Sequence, residues 1–312
     1  MTVATVDFRG WKHNLKISNG ETELIVTLDV GPRVMSYRQL DGKNVFKEYD
    51  DQMGVAGEPE WKIRGGHRLW VGPEDESRTY APDNAPVAYQ DLGGGTVRFT
   101  PPAETKYGIQ KEFDLRLAPT GSGVRMTHRV KNIGSTPTTL AVWSISVMAP
   151  GGVEIIPLPS KRPHPGDAKN ARSAADFAPN QLMTIWPFFH FDDPRWRFGS
   201  KFITLRQSKD LDATKIGLAH REGAVGYLNG DTLFVKRFDY EEGKVYPDFG
   251  VNFETFTNPD MLEIETLGPI TTLAPGEIVE HIESWELFSK IGVHADQDAL
   301  EKSVGPHLRK TQ

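Results

Sequence analysis

The chain of 312 residues has 36 Lys and Arg against 42 Asp and Glu, a formal charge of −6 at pH 7, 38% hydrophobic residues and no cysteine. The missing cysteine excludes disulfides, thiolate nucleophiles and thiolate metal sites. The acidic balance, the lack of a long basic run and the lack of about 18 consecutive apolar residues argue against nucleic acid and membrane as partners.

The opening residues 1–14 show no basic stretch followed by an apolar one, so no secretory signal is expected and a cytoplasmic protein is. Residues 24–28 form a short β-rich run, ended by Gly31-Pro32. Residues 33–49 predict a hairpin about Asp41-Gly42, because Asp-Gly tolerates the positive φ of a type I′ turn. Residues 61–75, WKIRGGHRLWVGPED, gather Arg64, His67, Arg68, Glu74, Asp75, Trp61 and Trp70. Gly65 and Gly66 between them allow a sharp turn or a close approach. Charged groups can bond the hydroxyls of a polyhydroxylated ligand while the indoles cover its C–H faces. The alternative is a strand and turn with solvated charges and core tryptophans.

Residues 109–117 alternate cleanly, with Lys111 interrupting an apolar face, and Val124, Met126, His128 and Val130 form a second such face. Residues 140–148 read as a mostly apolar strand. Residues 150–180, rich in Pro, Gly, Ala and Asp, read as one long irregular stretch. The aromatic cluster 185–198 is expected in the core, with the wall of a cleft as the alternative. Further strands follow at 202–206, 215–219, 224–238 (turning at Asn229-Gly230), 251–257, 261–267 and 278–288. Asp296 is a candidate cap for a helix 297–304 stopped by Gly305. No repeat or linker divides the chain. The expectation is one all-β domain over 1–312, with a peripheral tail from about 291.

Two motifs carry a family resemblance. Ile63-Arg64-Gly65-Gly66, followed by Trp70 and Pro73, resembles the segment that opens the site of hexose-6-phosphate mutarotases. Leu262-Glu263-Ile264-Glu265-Thr266, then Leu273-x-Pro275-Gly276-Glu277, is similar to the end of aldose 1-epimerases. The resemblance runs from near Arg33 to Trp285. It implies the galactose mutarotase-like supersandwich of large twisted antiparallel sheets, here with a short C-terminal helix.

It also implies a chemistry, in which a strand carboxylate takes the proton of the anomeric hydroxyl and a histidine protonates the ring oxygen. Glu265 corresponds to the base and Arg64 to a sugar-binding arginine. Period-2 spacing puts Glu263 on the face of Glu265, and paired carboxylates raise one pKa unless a cation such as Arg64 or Arg68 lies between them. The strand expected to hold the acid histidine has none; Trp143 and Ser144 stand in its place. His67 is the expected substitute, with His190 and His128 behind it and His128 expected in the core. Asp248 loosely matches an aspartate that binds substrate hydroxyls, and Glu74, Trp70 and Trp143 complete the expected sugar-binding set. Lys161, Arg162 and His164 are candidates for receiving a phosphate. No cofactor is expected. No metal is either, because His67, Glu74 and Asp248 form an N/O set without a recognised ligand spacing. The expected function is an aldose 1-epimerase-like isomerase acting on a small carbohydrate. The rivals are a non-catalytic carbohydrate-binding protein that lost the acid, and a domain that assembles with a partner enzyme.

Overall fold

The structure, a computed structural model, describes residues 1–292 and 296–309. Two large antiparallel sheets face each other. The middle of the first sheet runs Val34–Gln39, His67–Gly72, Thr138–Val147, Leu262–Leu267, Phe253–Thr257, Thr214–Leu218. The second has Ala224–Asn229, Thr232–Arg237, Ile278–Phe288, Val124–Asn132 and Ile109–Leu117 as neighbours in that order. Among the described residues no helix is long and apolar enough to cross a membrane.

Alternation builds the core between the sheets. Along Ile109–Leu117 and Val124–Asn132 every second residue is buried, as one-sided strands require. Tyr37, Phe46, Phe234 and Trp285 meet across the layers with tilted and edge-to-face rings 5.7–6.4 Å apart. Lys111 stays on the buried face because its ammonium reaches Glu104 at 2.5 Å.

The expected hairpin at 33–49 does not form. Val34–Gln39 pairs instead with Thr22–Thr27. The Asn44 side chain accepts from the Tyr37 and Phe46 amides and donates to the Met35 carbonyl, which turns the chain out of the sheet. Phe46 then bridges to Met148 and Glu48 to Gly65. The second arm thereby runs past the ends of Thr138–Val147 and His67–Gly72, with Val45 and Phe46 buried in the intersheet core. Gly65 and Gly66 serve this crossing: a Cβ there would lie 2.1 Å from the Lys47 carbonyl oxygen and 2.6 Å from that of Val34. Within 150–180, Val153–Pro157 is a strand rather than loop. The turn at Asn229-Gly230 joins Ala224–Asn229 to Thr232–Arg237 as expected. Asp296 accepts from the Asp298 and Ala299 amides and caps Gln297–Ser303, but Gly305 does not stop the chain's helical path as expected and instead opens a further short helix, Gly305–Leu308. Leu300, Val304 and Leu308 of this tail are buried with Val153, Phe202 and Leu233, so the tail is packed onto the second sheet.

Candidate active site

Five adjacent strands of the first sheet turn one face toward a single cleft. Directly opposed residues on antiparallel strands share a face. Ile145 opposes Arg68 on one side and Glu265 on the other, and Trp143 opposes Trp70. Glu265 opposes Glu254, Glu263 opposes Phe256, and Phe256 opposes Lys215. The residues between them, including His67, Ser144, Ser146 and Thr266, point into the intersheet core. Loops close the rim with Tyr49, Asp51, Gln52 and Trp61, with Glu74 and Tyr80, with Trp186 and Phe188, and with Asp260 and Met261. The cavity measures about 670 Å³, within the range of small-molecule sites.

At the floor, the Lys215 ammonium lies 2.6 Å from Glu254 Oε2 and 3.0 Å from Glu265 Oε2. Trp143 Nε1 donates to the same Glu265 oxygen at 3.0 Å. No hydrogen bond from a described side chain occupies Glu265 Oε1. Lys215 also sits over the Trp143 and Trp186 rings, 5.0 and 4.8 Å from their centroids, a cation–π arrangement. Beside it, Arg68 Nη2 donates to Glu263 Oε1 at 2.9 Å, with its guanidinium 4.2 Å from the centre of the Trp70 ring.

Burial sets the titration of this group. Glu254 and Glu265 are both pushed above the ordinary carboxylate value by desolvation, which outweighs the opposing pull of Lys215, and Glu254 is shifted strongly. Burial also works against the Lys215 charge, but the two carboxylates overcome it and hold the ammonium protonated. The result is one fixed positive charge between two carboxyl groups of unequal proton affinity. Burial makes Glu265 more basic, while the ammonium beside it limits that rise and favours the ionised form.

No family model matches the chain, and no curated protein matches it in sequence. Solved structures match it in shape. A galactose mutarotase-like protein from Lactobacillus casei ATCC 334 superposes with a TM-score of 0.56 at 14% identity, covering 88% of this chain and 100% of that one. A candidate aldose 1-epimerase from Klebsiella pneumoniae subsp. pneumoniae MGH 78578 gives 0.57 at 12% identity, covering 96% and 84%. A TPR-domain containing protein from Parabacteroides distasonis ATCC 8503 gives 0.57 at 18% identity and 91% of this chain; the chain spans only 49% of that longer protein. The fold is the galactose mutarotase-like one.

Within this mutarotase-like fold, Glu265, Glu263, Arg68, Trp70, Glu74 and Trp143 meet in the cleft. Four other expected site residues lie elsewhere. His67 is one position out of phase with Arg68 and faces the core, where its Nδ1 is 2.9 Å from Ser146 Oγ and its Nε2 2.8 Å from His128 Nε2. It cannot reach a sugar beside Glu265. Arg64 is fully buried and ties down the loop behind the rim. It donates to the Gln52 and Val55 carbonyls, to Glu58 Oε2 and to Asn84 Oδ1. His190 is exposed on a turn away from the lining. Asp248 is exposed in a left-handed turn, its carbonyl accepting from Thr184 Oγ1. Its charge still contributes to raising Glu254, behind burial and Glu265. The candidate phosphate residues Lys161, Arg162 and His164 also stand outside this cleft.

Lys215, Glu254 and Tyr49 were not foreseen as site residues, and the aromatic stretch 185–198 divides: Phe189 and Trp196 are buried, whereas Trp186 and Phe188 wall the cleft. The available signal was a lone charge inside each of two short apolar strands, KIGLA and NFETFT. A charge in a buried strand needs a partner, and these two are each other's.

His67, His128 and Glu283 hold donor atoms within 4.8 Å of one another. They belong to a satisfied core network. Glu283 accepts from Ser144 and Thr266, from Trp285 Nε1 at 2.9 Å and from Lys236 at 2.9 Å. His128 Nδ1 donates to the His281 carbonyl, so its Nε2 accepts from His67. Burial holds His67 and His128 below the ordinary histidine value, and therefore neutral. A cation, Lys236, already neutralises the carboxylate, and that disfavours a metal.

Proposed function

We propose that this chain binds an aldose or aldose derivative in the cleft, and that Glu265 acts as general base on the anomeric hydroxyl. The observation that supports this reading best is the placement of Glu265. It is a nearly fully buried carboxylate with raised proton affinity and a free Oε1, walled by indoles that can cover a sugar ring. Arg68 and Glu263 are the expected hydroxyl-binding pair, with Glu74 at the rim. Removal of the O1 proton opens the C1–O5 bond, and O5 must receive a proton before the ring recloses with either anomer. The chain is proposed to be cytoplasmic.

A second reading is a non-catalytic carbohydrate-binding protein. It is favoured by the described lining having no histidine, and by the cation in contact with Glu265 being a lysine held protonated. NMR exchange spectroscopy across a panel of aldoses separates the two. On the enzyme reading, at least one sugar interconverts faster than in buffer and Glu265→Gln abolishes the excess. Binding without any acceleration rejects catalysis and leaves recognition. An excess rate untouched by Glu265→Gln rejects the base assignment.

A further inference from the structure

The charge inventory of the cleft bears on what kind of sugar it accepts, an inference that rests on the carbohydrate reading above. Two cations line the cleft, and both are already paired: Arg68 with Glu263, and Lys215 with Glu254 and Glu265. The nearest further amine, Lys47, bonds the Asp260 carbonyl and lies 4.1 Å from the centre of the Tyr49 ring. Among the described residues, three more lining carboxylates, Asp51, Glu74 and Asp260, have no cation within ion-pair distance, although Lys47 lies near enough for the charges of Asp260 and Asp51 to act on it; Glu74 accepts from Tyr80. With Lys47, whose charge acts on Asp51 and Asp260 from beside the lining, counted in, two negative charges remain in excess. Its walls are aromatic rings, whose faces attract cations and not anions.

A second observation points to a ligand at the same place. Arg68 is 2% exposed, yet its Nε and Nη1 have no hydrogen-bond partner, and neither has the buried indole N–H of neighbouring Trp61. Buried donors without acceptors are costly. Because Glu263 already neutralises the guanidinium, these donors suit a hydroxyl or ring oxygen and not a second anion.

We propose that the cleft selects by charge: it rejects phosphorylated and uronate sugars, and it favours an aldose bearing an ammonium group over its neutral parent, with Asp51 and Asp260 receiving that group. Like charges brought together in a partly desolvated site are strongly disfavoured. Attraction at an exposed rim is modest and is weakened by salt.

The test is titration of the intact chain, followed by the fluorescence of the cleft tryptophans, with glucose, glucosamine, N-acetylglucosamine, glucose 6-phosphate and glucuronate. At low salt glucosamine is expected to bind about fivefold tighter than glucose, as one or two exposed charge contacts allow. N-acetylglucosamine should show no such gain. The two anionic sugars should bind at least about tenfold more weakly than glucose. At about 0.5 M salt the glucosamine advantage should shrink toward one. In the double variant Asp51→Asn/Asp260→Asn the glucosamine-to-glucose ratio should also fall toward one. An anionic sugar bound as tightly as glucose overturns the charge inference and leaves the sugar cleft standing. So does a glucosamine preference that survives in the double variant. If none of the five sugars binds, the carbohydrate reading falls, and the inference with it.

Discussion

Replacing Lys215 with Met keeps most of its volume and removes the charge between Glu254 and Glu265. The ammonium touches both carboxylates at 2.6 and 3.0 Å, and all three groups are buried. Deleting one partner of such a group typically costs about 3–5 kcal/mol, because it strands a buried charge. The variant has an escape that wild type does not need: it can take up one additional proton. The sign follows from the direction of the shifts. Glu254 and Glu265 are both raised in the folded state, so their contribution is favourable below the ordinary carboxylate value and is lost as pH rises through the folded value. Losing Lys215 removes the pull that opposes the rise and widens that window. One proton followed over about three pH units is worth ~4 kcal/mol. Urea unfolding should therefore show Lys215→Met destabilised by about 3–5 kcal/mol near pH 8, and within ~1 kcal/mol of wild type near pH 5. A loss that is the same at both pH values would refute the coupling. A loss under ~1 kcal/mol at pH 8 would refute the claim that Lys215 holds the floor of the cleft together.

Three further outcomes are expected. Glu154 is buried under Thr255, and desolvation pushes it up to about 8; its contribution is thus lost as pH rises from the ordinary carboxylate range through about 8, and Glu154→Gln should flatten the fall in unfolding free energy over that interval. His281 is held neutral by burial, down to about 4, so stability present above the ordinary histidine value should drain away as pH falls through about 4. His281→Gln should lessen that acid loss in a pH series of thermal melts, and an unchanged slope would assign the loss to other groups. Arg64→Met should cost about 3 kcal/mol or more by stranding Glu58 and the loop carbonyls, and proteolysis should then cut first within 50–63.

Much of the fold was legible because its signal is local. The one-sided strands 109–117 and 124–132, the Asn229-Gly230 turn and the Asp296 cap each depend on neighbours in sequence, and each forms as read. The 33–49 hairpin failed because its turn signal was outcompeted: the first arm pairs with the preceding strand Thr22–Thr27, and the second bridges Gly65 and the distant Met148. The candidate site divides in the same way. Period 2 put Glu263 and Glu265 on one face, and the same rule, applied to His67 and Arg68, separates them onto opposite faces. The charged stretch at 61–75 thus contributes Arg68, Trp70 and Glu74 to the cleft while His67 serves the core. Which face is the cleft depends on sheet order, and sheet order brings Lys215 beside Glu265 across about 50 residues of sequence. A lysine and a glutamate isolated in separate apolar strands each look anomalous alone. Two such anomalies of opposite sign resolve each other only if their strands are neighbours. The buried charge is therefore itself a constraint on topology, and it narrows where the chemistry can be: a lysine held between two carboxyl groups marks a place on this sheet where a carboxylate survives burial with its proton affinity raised.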